Sequence, residues 1–297
     1  MMRNTRGQKR RRMIWEFRDS LLWDVVVKND DVSFKHILPK LNSNDVKFLY
    51  EVNGETRKLM KRSTRESDLK KSFMVKDMST ISTLEWAWEH KSFWSGDLED
   101  ERSFCWEVAY TNKLELLKWI REEKKCEWDY RTIRGAVDQG NLEMVKYCVA
   151  NECPIDAGTC ACAALEGQLE CLKYLREEGK APWDSGTAAL AAQNGHLHIL
   201  EYLVEREYDE YEAYAELEYD EYEAYACERA AANGQLDCLK YLRETAKAPW
   251  DSWAVRGAHE NNHPECLQYL LDNNCPLPYG WRYENGELHD VAESESE

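Results

Sequence analysis

The sequence predicts an all-α chain of 297 residues: a helical solenoid of short repeats preceded by a small helical module. Two observations carry that expectation. From about residue 100 to about residue 280 a block of similar residues returns at near-constant spacing, and each block has apolar residues three and four apart with a glycine near its middle. Ahead of it the same helical spacing occurs without the repeat.

In chain order, residues 1–23 open with MMRNTRGQKRRR, six Arg or Lys with no apolar run after them, and are expected to be a basic tail rather than a secretory leader. Lys9–Arg12 fit either a nuclear-import signal or a solvated end. Residues 24–75 form the helical module. Within DDVSFKHILPKLNSNDVKFLYEVNGETRKLMKRS the apolar positions Val32, Ile37, Leu41, Val46, Leu49, Val52 and Leu59 keep the three-and-four spacing of a small helical bundle. Their order, V-x-x-x-x-I-x-x-x-L and then D-V-x-x-L-x-x-V-N, resembles an F-box. That resemblance implies docking onto the Skp-type adaptor of a cullin ubiquitin ligase, with Val32, Ile37, Leu41, Val46, Leu49 and Val52 in adaptor-facing and core positions. The alternative is a helical cap covering the first repeat, which a solenoid needs.

Residues 76–290 are assigned to the solenoid. STLEWAWEHKSFW, with Trp86, Trp88 and Trp94, reads as a degenerate first repeat. The regular blocks follow as NKLELLKWIRE, GNLEMVKYCV, GQLECLKYLRE, GHLHILEYLVE, GQLDCLKYLRE and HPECLQYLL. Their anchors are Leu114, Leu142, Leu169, Leu197, Leu236 and Pro264, spaced 28, 27, 28, 39 and 28 apart. Three past each anchor an apolar residue returns, and five past an aromatic, so both lie along one helix. Six before five of the anchors comes Ala136, Ala163, Ala191, Ala230 or Ala258, small enough for a second helix to pack closely. Two before four of them sits Gly140, Gly167, Gly195 or Gly234, placed to end that first helix. Trp128-Asp129, Ile155-Asp156, Trp183-Asp184 and Trp250-Asp251 mark the turn leading into it.

Each unit is thus a turn, a short helix, a glycine turn and a second helix, and no unit can bury its own stripe without a neighbour. These blocks resemble ankyrin repeats, PWDSGTAALAAQNGHL matching the family's T-P-L-H-x-A-A-x-x-G-H-L unit without its histidine. At 27 or 28 residues they are shorter than the family's roughly 33, and the loss is expected from the projecting hairpin. The resemblance implies a binding surface for another protein. Residues that vary between repeats at the turn and first helix are the expected contacts: Tyr130, Arg131, Arg134, Arg229, Trp253 and Arg256.

The spacing of 39 contains an 11-residue duplication at 207–226, EYDEYEAYAEL followed by EYDEYEAYA. Eleven residues advance a helix by about 1100°, within about 20° of three turns, so a helical insertion keeps the later face in phase. The insertion reads as an extended helix or a solvated loop. Its nine Asp or Glu and six Tyr also suit a basic partner or tyrosine phosphorylation.

HENNH, His259–His263, has the H-E-x-x-H pattern of a zinc hydrolase, with Glu260 as its base. In repeat register Asn262 takes the helix-ending glycine slot, which puts His259 and His263 on different helices. The zinc reading is therefore the minor alternative. Cys171, Cys238 and Cys266 share one repeat position and Cys126, Cys153 and Cys275 another, which implies packing, and the Cys160-x-Cys162 pair reads the same way. No catalytic arrangement stands out, and no metal or cofactor is expected.

Eleven cysteines without a CxxC pair predict reduced thiols of the cytoplasm, with the nucleus as the second choice. Residues 1–75 hold 18 basic against 10 acidic residues and the rest 21 against 46, so +8 and −25 give the net −17. So acidic a body repels phosphate backbones, which argues against nucleic acid. No run approaches the roughly 20 apolar residues that span a bilayer. The expected role is a monomeric protein-binding scaffold, in sharper form a ligase substrate receptor. Residues 291–297, and HDVAESESE around them, are expected to be disordered.

Overall fold

A computed structural model describes Asn29 and residues 32–41, 43–52, 54–70, 74–91, 100–183, 185–211, 222–284 and 287–290. The basic tail, Trp94, Asp184, the centre of the duplication and the last seven residues lie outside the described residues. The chain divides into two compact units, Met1–Glu127 and Trp128–Glu297.

In the first unit, a π turn at Ser33–Ile37 and a 3-10 turn at Leu38–Lys40 lead into α1 (Ser43–Val52) and α2 (Gly54–Arg62). Leu38, Val46 and Met60 form the core there, with Phe34, Leu41, Leu49, Tyr50 and Leu69 packed around it. Arg65 holds the module closed, donating to the Leu38 carbonyl at 2.6 Å and the Leu41 carbonyl at 3.0 Å while pairing with Asp68. Next comes α3 (Ile81–Glu89), its N-terminus capped by Thr80. The Trp86 ring of α3 meets Phe48 of α1 edge-on at 4.9 Å, so the module rests on the segment read as a degenerate repeat. A helix pair in the repeat register completes the unit: α4 (Glu101–Ala109), capped by Asp100, and α5 (Leu114–Glu122).

The second unit is a two-layer stack of helix pairs. The first layer is α6 (Tyr130–Asp138), α8 (Ala157–Leu165), α10 (Ser185–Gln193), α12 (Tyr222–Ala232) and α14 (Ser252–Glu260). The second is α7 (Leu142–Ala150), α9 (Leu169–Glu177), α11 (Leu197–Tyr211), α13 (Leu236–Glu244) and α15 (Pro264–Asp272). Successive members of the first layer pack on one another, as do α7 with α9, α11 with α13 and α13 with α15, while Tyr202 and Arg206 of α11 donate to Glu177 of α9. All five register alanines are fully buried, as are Val145, Leu172, Leu200 and Leu239. Small residues in the first layer and aliphatic ones in the second let the two layers approach closely.

Asp129 and Asp251 cap their helices by accepting from the second helical N–H, and Asp156 forms a capping box with Thr159. At the other end the glycine slot has positive φ in every described repeat: Asn112 57°, Gly140 62°, Gly167 72°, Gly195 74°, Gly234 72° and Asn262 59°. Conformation is half of what the slot demands. A methyl at Gly167 would lie 2.7 Å from His196 Cε1, because the side chain preceding the next anchor folds over the turn, its Nε2 3.0 Å from the Leu165 carbonyl. His196 is therefore a bridge between repeats rather than a free surface residue.

The aromatic position five past the anchor is half-buried, or buried at Tyr202, and works across the leading turn. Trp128 meets Tyr147, Trp183 meets Tyr202 and Trp250 meets Tyr269, edge-on at 6.2, 6.1 and 6.0 Å. Arg176 and Arg243 lie 4.5 Å above Trp183 and Trp250 of the following repeat. Each also donates at 3.2 Å to a backbone carbonyl of that turn, Ala181 or Ala248. The arginines thus clamp neighbouring units.

Two expectations need correction or refinement. His289 and Asp290 are not in a disordered end: β1 (Trp281–Glu284) and β2 (Glu287–Asp290) pair antiparallel, with Arg282 opposite His289. Burial alternates along β1, Trp281 and Tyr283 half-buried and Arg282 and Glu284 exposed, which is the period of a strand. The duplication, for its part, lengthens α11 to 15 residues where its counterparts have 9, and its last residues begin α12.

Candidate binding face

Tyr130 opens α6 and is 41% exposed, while Trp253 near the start of α14 is 56% exposed. Each has an arginine across its ring, Arg134 at 4.8 Å and Arg256 at 5.4 Å. The spacing of one helical turn makes this contact local, and the exposed planar groups are presented together. Arg134 also makes a two-pronged bond to Asp156 of the next repeat, at 3.1 and 2.6 Å, and Arg256 pairs with Glu260 at 2.8 Å. Arg131 turns back on its own cap, Asp129, at 2.9 Å. Arg229 covers the Tyr225 ring at 4.5 Å and donates to its hydroxyl. Sequence reasoning passed over Tyr225 because it lies in the duplication, although its four-residue spacing to Arg229 matches Tyr130 and Arg134.

Between these aromatic positions α8 and α10 carry small residues on the same layer, among them Ala157, Gly158, Ala161 and Gly186. A methyl at Gly158 would overlap the Arg134 guanidinium, so that side chain lies flat on α8. The second layer differs. Its outer surface carries local pairs such as Glu143 with Lys146 at 2.7 Å and Glu170 with Lys173 at 3.2 Å, exposed bonds that neutralise each other and contribute little.

HENNH is split between two helices: His259 lies in α14, Asn262 turns the chain at φ 59°, and His263 is the N-cap of α15. His259 packs edge-on against Trp281 at 5.0 Å. Among the described residues there is no group of three or more His, Cys, Asp or Glu suited to a metal ion.

All eleven cysteines are free thiols, ten of them buried. Burial pushes Cys171, Cys238 and Cys266 up to about 11 and Cys275 up to about 12. Cys162 is half-buried; its burial and a hydrogen bond to Asp138 raise it as well. Thiols so disposed are poor nucleophiles. Cys126, Cys153 and Cys275 donate to the carbonyls of Glu101, Asp129 and Asp251 at 3.0, 3.4 and 3.3 Å, tying the end of one second helix to the preceding leading turn.

Of the F-box-like positions, Val46 is fully buried, whereas Val32, Ile37, Leu41 and Leu49 are half-buried at the edge of the module's core. Val52 closes α1, and its side chain is outside the described residues. Among the described residues no helix is long and apolar enough to cross a membrane.

A family model of ankyrin repeats matches residues 161–252 in three copies, from within α8 to the first residue of α14. No curated protein matches the chain. The middle of the second unit therefore carries ankyrin repeats, and the fold class is an all-α, ankyrin-like solenoid of the kind that serves as a protein–protein interaction scaffold.

Proposed function

We propose that this scaffold holds its protein partner on the first-helix layer of the second unit, with Tyr130, Arg131, Arg134, Arg229, Trp253 and Arg256 as contacts. The supporting observation is the exposure of Tyr130 and Trp253 beside arginines, on a layer whose α8 and α10 between them carry small residues. Rigid aromatics and arginines lose little entropy on docking and dominate binding energy at interfaces. Cross-linked partners would be identified from cells with the full chain, and affinities then measured for Tyr130→Ala and Trp253→Ala. Each is expected to weaken binding by about 2 kcal/mol without lowering Tm; unchanged affinity in both would place the interface elsewhere.

The finer proposal is a substrate receptor of a cullin-type ubiquitin ligase in the cytoplasm, acting as a monomer. Its support is the F-box-like order of Val32, Ile37, Leu41, Val46, Leu49 and Val52 and the half-buried apolar rim that Val32, Ile37, Leu41 and Leu49 leave. The Phe48–Trp86 contact favours the other role for the module, a cap on the helices that follow. Purified Skp-type adaptor mixed with the full chain separates the two. Complex formation lost in Ile37→Asp supports the receptor, and no complex with the wild type leaves the cap.

A further inference from the structure

The first-helix layer contains one internal comparison that indicates what it receives. Eight residues before the anchor of the α6–α7 repeat stands Arg134, and thirteen before the next anchor stands Asp156; they form the two-pronged bridge at 3.1 and 2.6 Å. Three repeats further on, the same pair of positions holds Glu228 on α12 and Asp251, the N-cap of α14. The two helices are packed closely enough that a methyl on Gly257 would lie 2.8 Å from Ala232 Cβ. A slot that takes a guanidinium and a carboxylate in one place therefore faces two carboxylates in the other.

The surroundings do not neutralise them. Asp251 accepts from the Trp253 N–H at 2.9 Å, and neither it nor Glu228 has an ion-pair partner among the described residues. The arginines nearest in sequence are engaged elsewhere, Arg229 on Tyr225 and Arg256 on Glu260 at 2.8 Å, while Arg243 stacks on Trp250. Burial and the Asp251 charge both raise Glu228, the response of a carboxyl that lacks a cation. Trp253, whose backbone N–H bonds Asp251, borders the slot, and its ring is exposed beside Arg256.

We propose that the slot between Glu228 and Asp251, bordered by Trp253, binds an arginine side chain of the protein partner, which completes there the bridge that Arg134 and Asp156 make within the chain. This rests on the first-helix layer being the binding face. The partner segment is accordingly basic, and the net charge of −17 steers it toward the chain.

The probe is a fluorescein-labelled peptide of four Ala-Ala-Arg units, set against a twin in which neutral citrulline replaces each arginine, both titrated with the full chain by anisotropy at physiological salt. The expected result is binding of the arginine peptide alone, weakened about tenfold or more by Glu228→Arg. That substitution supplies the internal bridge and is expected to raise Tm, so a folding defect cannot imitate the loss. Glu228→Gln, nearly isosteric, is expected to weaken binding less. Glu170→Arg makes the same charge change on the second layer and is expected to leave binding within about twofold. The inference is overturned by failure of the arginine peptide to bind, by equal binding of the citrulline twin, or by equal effects of Glu228→Arg and Glu170→Arg. A natural partner that is lost by Trp253→Ala but unaffected by Glu228→Arg would also overturn it and leave the binding face standing.

Discussion

Thr132 and Thr159 occupy one repeat position, are both fully buried, and differ in what their hydroxyls meet. Thr159 Oγ1 donates to Asp156 at 2.8 Å and completes the capping box, whereas Thr132 Oγ1 has no partner because Arg131 engages both oxygens of the equivalent Asp129. A buried hydroxyl without a partner costs stability, while a bonded one contributes about 1 kcal/mol. Thr132→Val is accordingly expected to be neutral or to stabilise by up to about 1 kcal/mol, and Thr159→Val to cost about 1–2 kcal/mol; calorimetric Tm values showing the reverse order would contradict the assignment. Glu228 has a different signature. Its folded pKa is raised, so above the ordinary carboxylate value of about 4.3 the folded state holds the proton more tightly than the unfolded state. Stability from this group is thus lost as pH rises through the raised value and retained below the ordinary one. Glu228→Gln is expected to gain stability over the wild type near neutrality, with the gap closing toward pH 4 in denaturant titrations.

At the level of elements, the turn between the two helices of each repeat does more than reverse the chain. At Gly167 a side chain meets two obstacles, φ of 72° and the His196 ring on the Leu165 carbonyl. Gly167→Ala is expected to cost about 2–3 kcal/mol, the left-handed penalty of about 1–2 kcal/mol plus a displaced hydrogen bond. The chain tolerates Asn262 in the equivalent slot, which shows that asparagine bears this conformation. The clamp arginines join a helix to the next turn. Removing Arg243 is expected to lower stability by about 1–2 kcal/mol, since both the Trp250 stack and the Ala248 bond go with it. Arg243→Lys should recover only part, a difference urea titration would resolve.

For the whole molecule the governing quantities are charge and division into units. A net charge of −17 opposes compaction, and added salt screens it. Raising sodium chloride from 0.05 to 0.3 M is expected to raise Tm; a fall would mean that ion pairs such as Arg134–Asp156 outweigh the self-repulsion. The helix-pair period was legible because every pair buries the same stripe, so side chains doing one job recur at one offset. Among the described residues, the glycines, alanines and cap aspartates took the places their spacing implied. The hairpin at Trp281–Asp290 had a signal too, Asn285-Gly286 between alternating residues, but the repeat register was extended over it.

Repetition in the sequence by itself determined the helical class, the pairing of helices, the position of each turn and the separation of HENNH onto two helices. The reason is that a stripe unable to bury itself forces its neighbour's geometry. Tertiary structure alone decided which polar groups meet across repeats: Arg134 with Asp156, Arg243 with Trp250, and Glu228 facing Asp251 with no base between them. Those residues stand more than six positions apart on different elements, and only the stacking of one repeat on the next brings such side chains within a few ångströms.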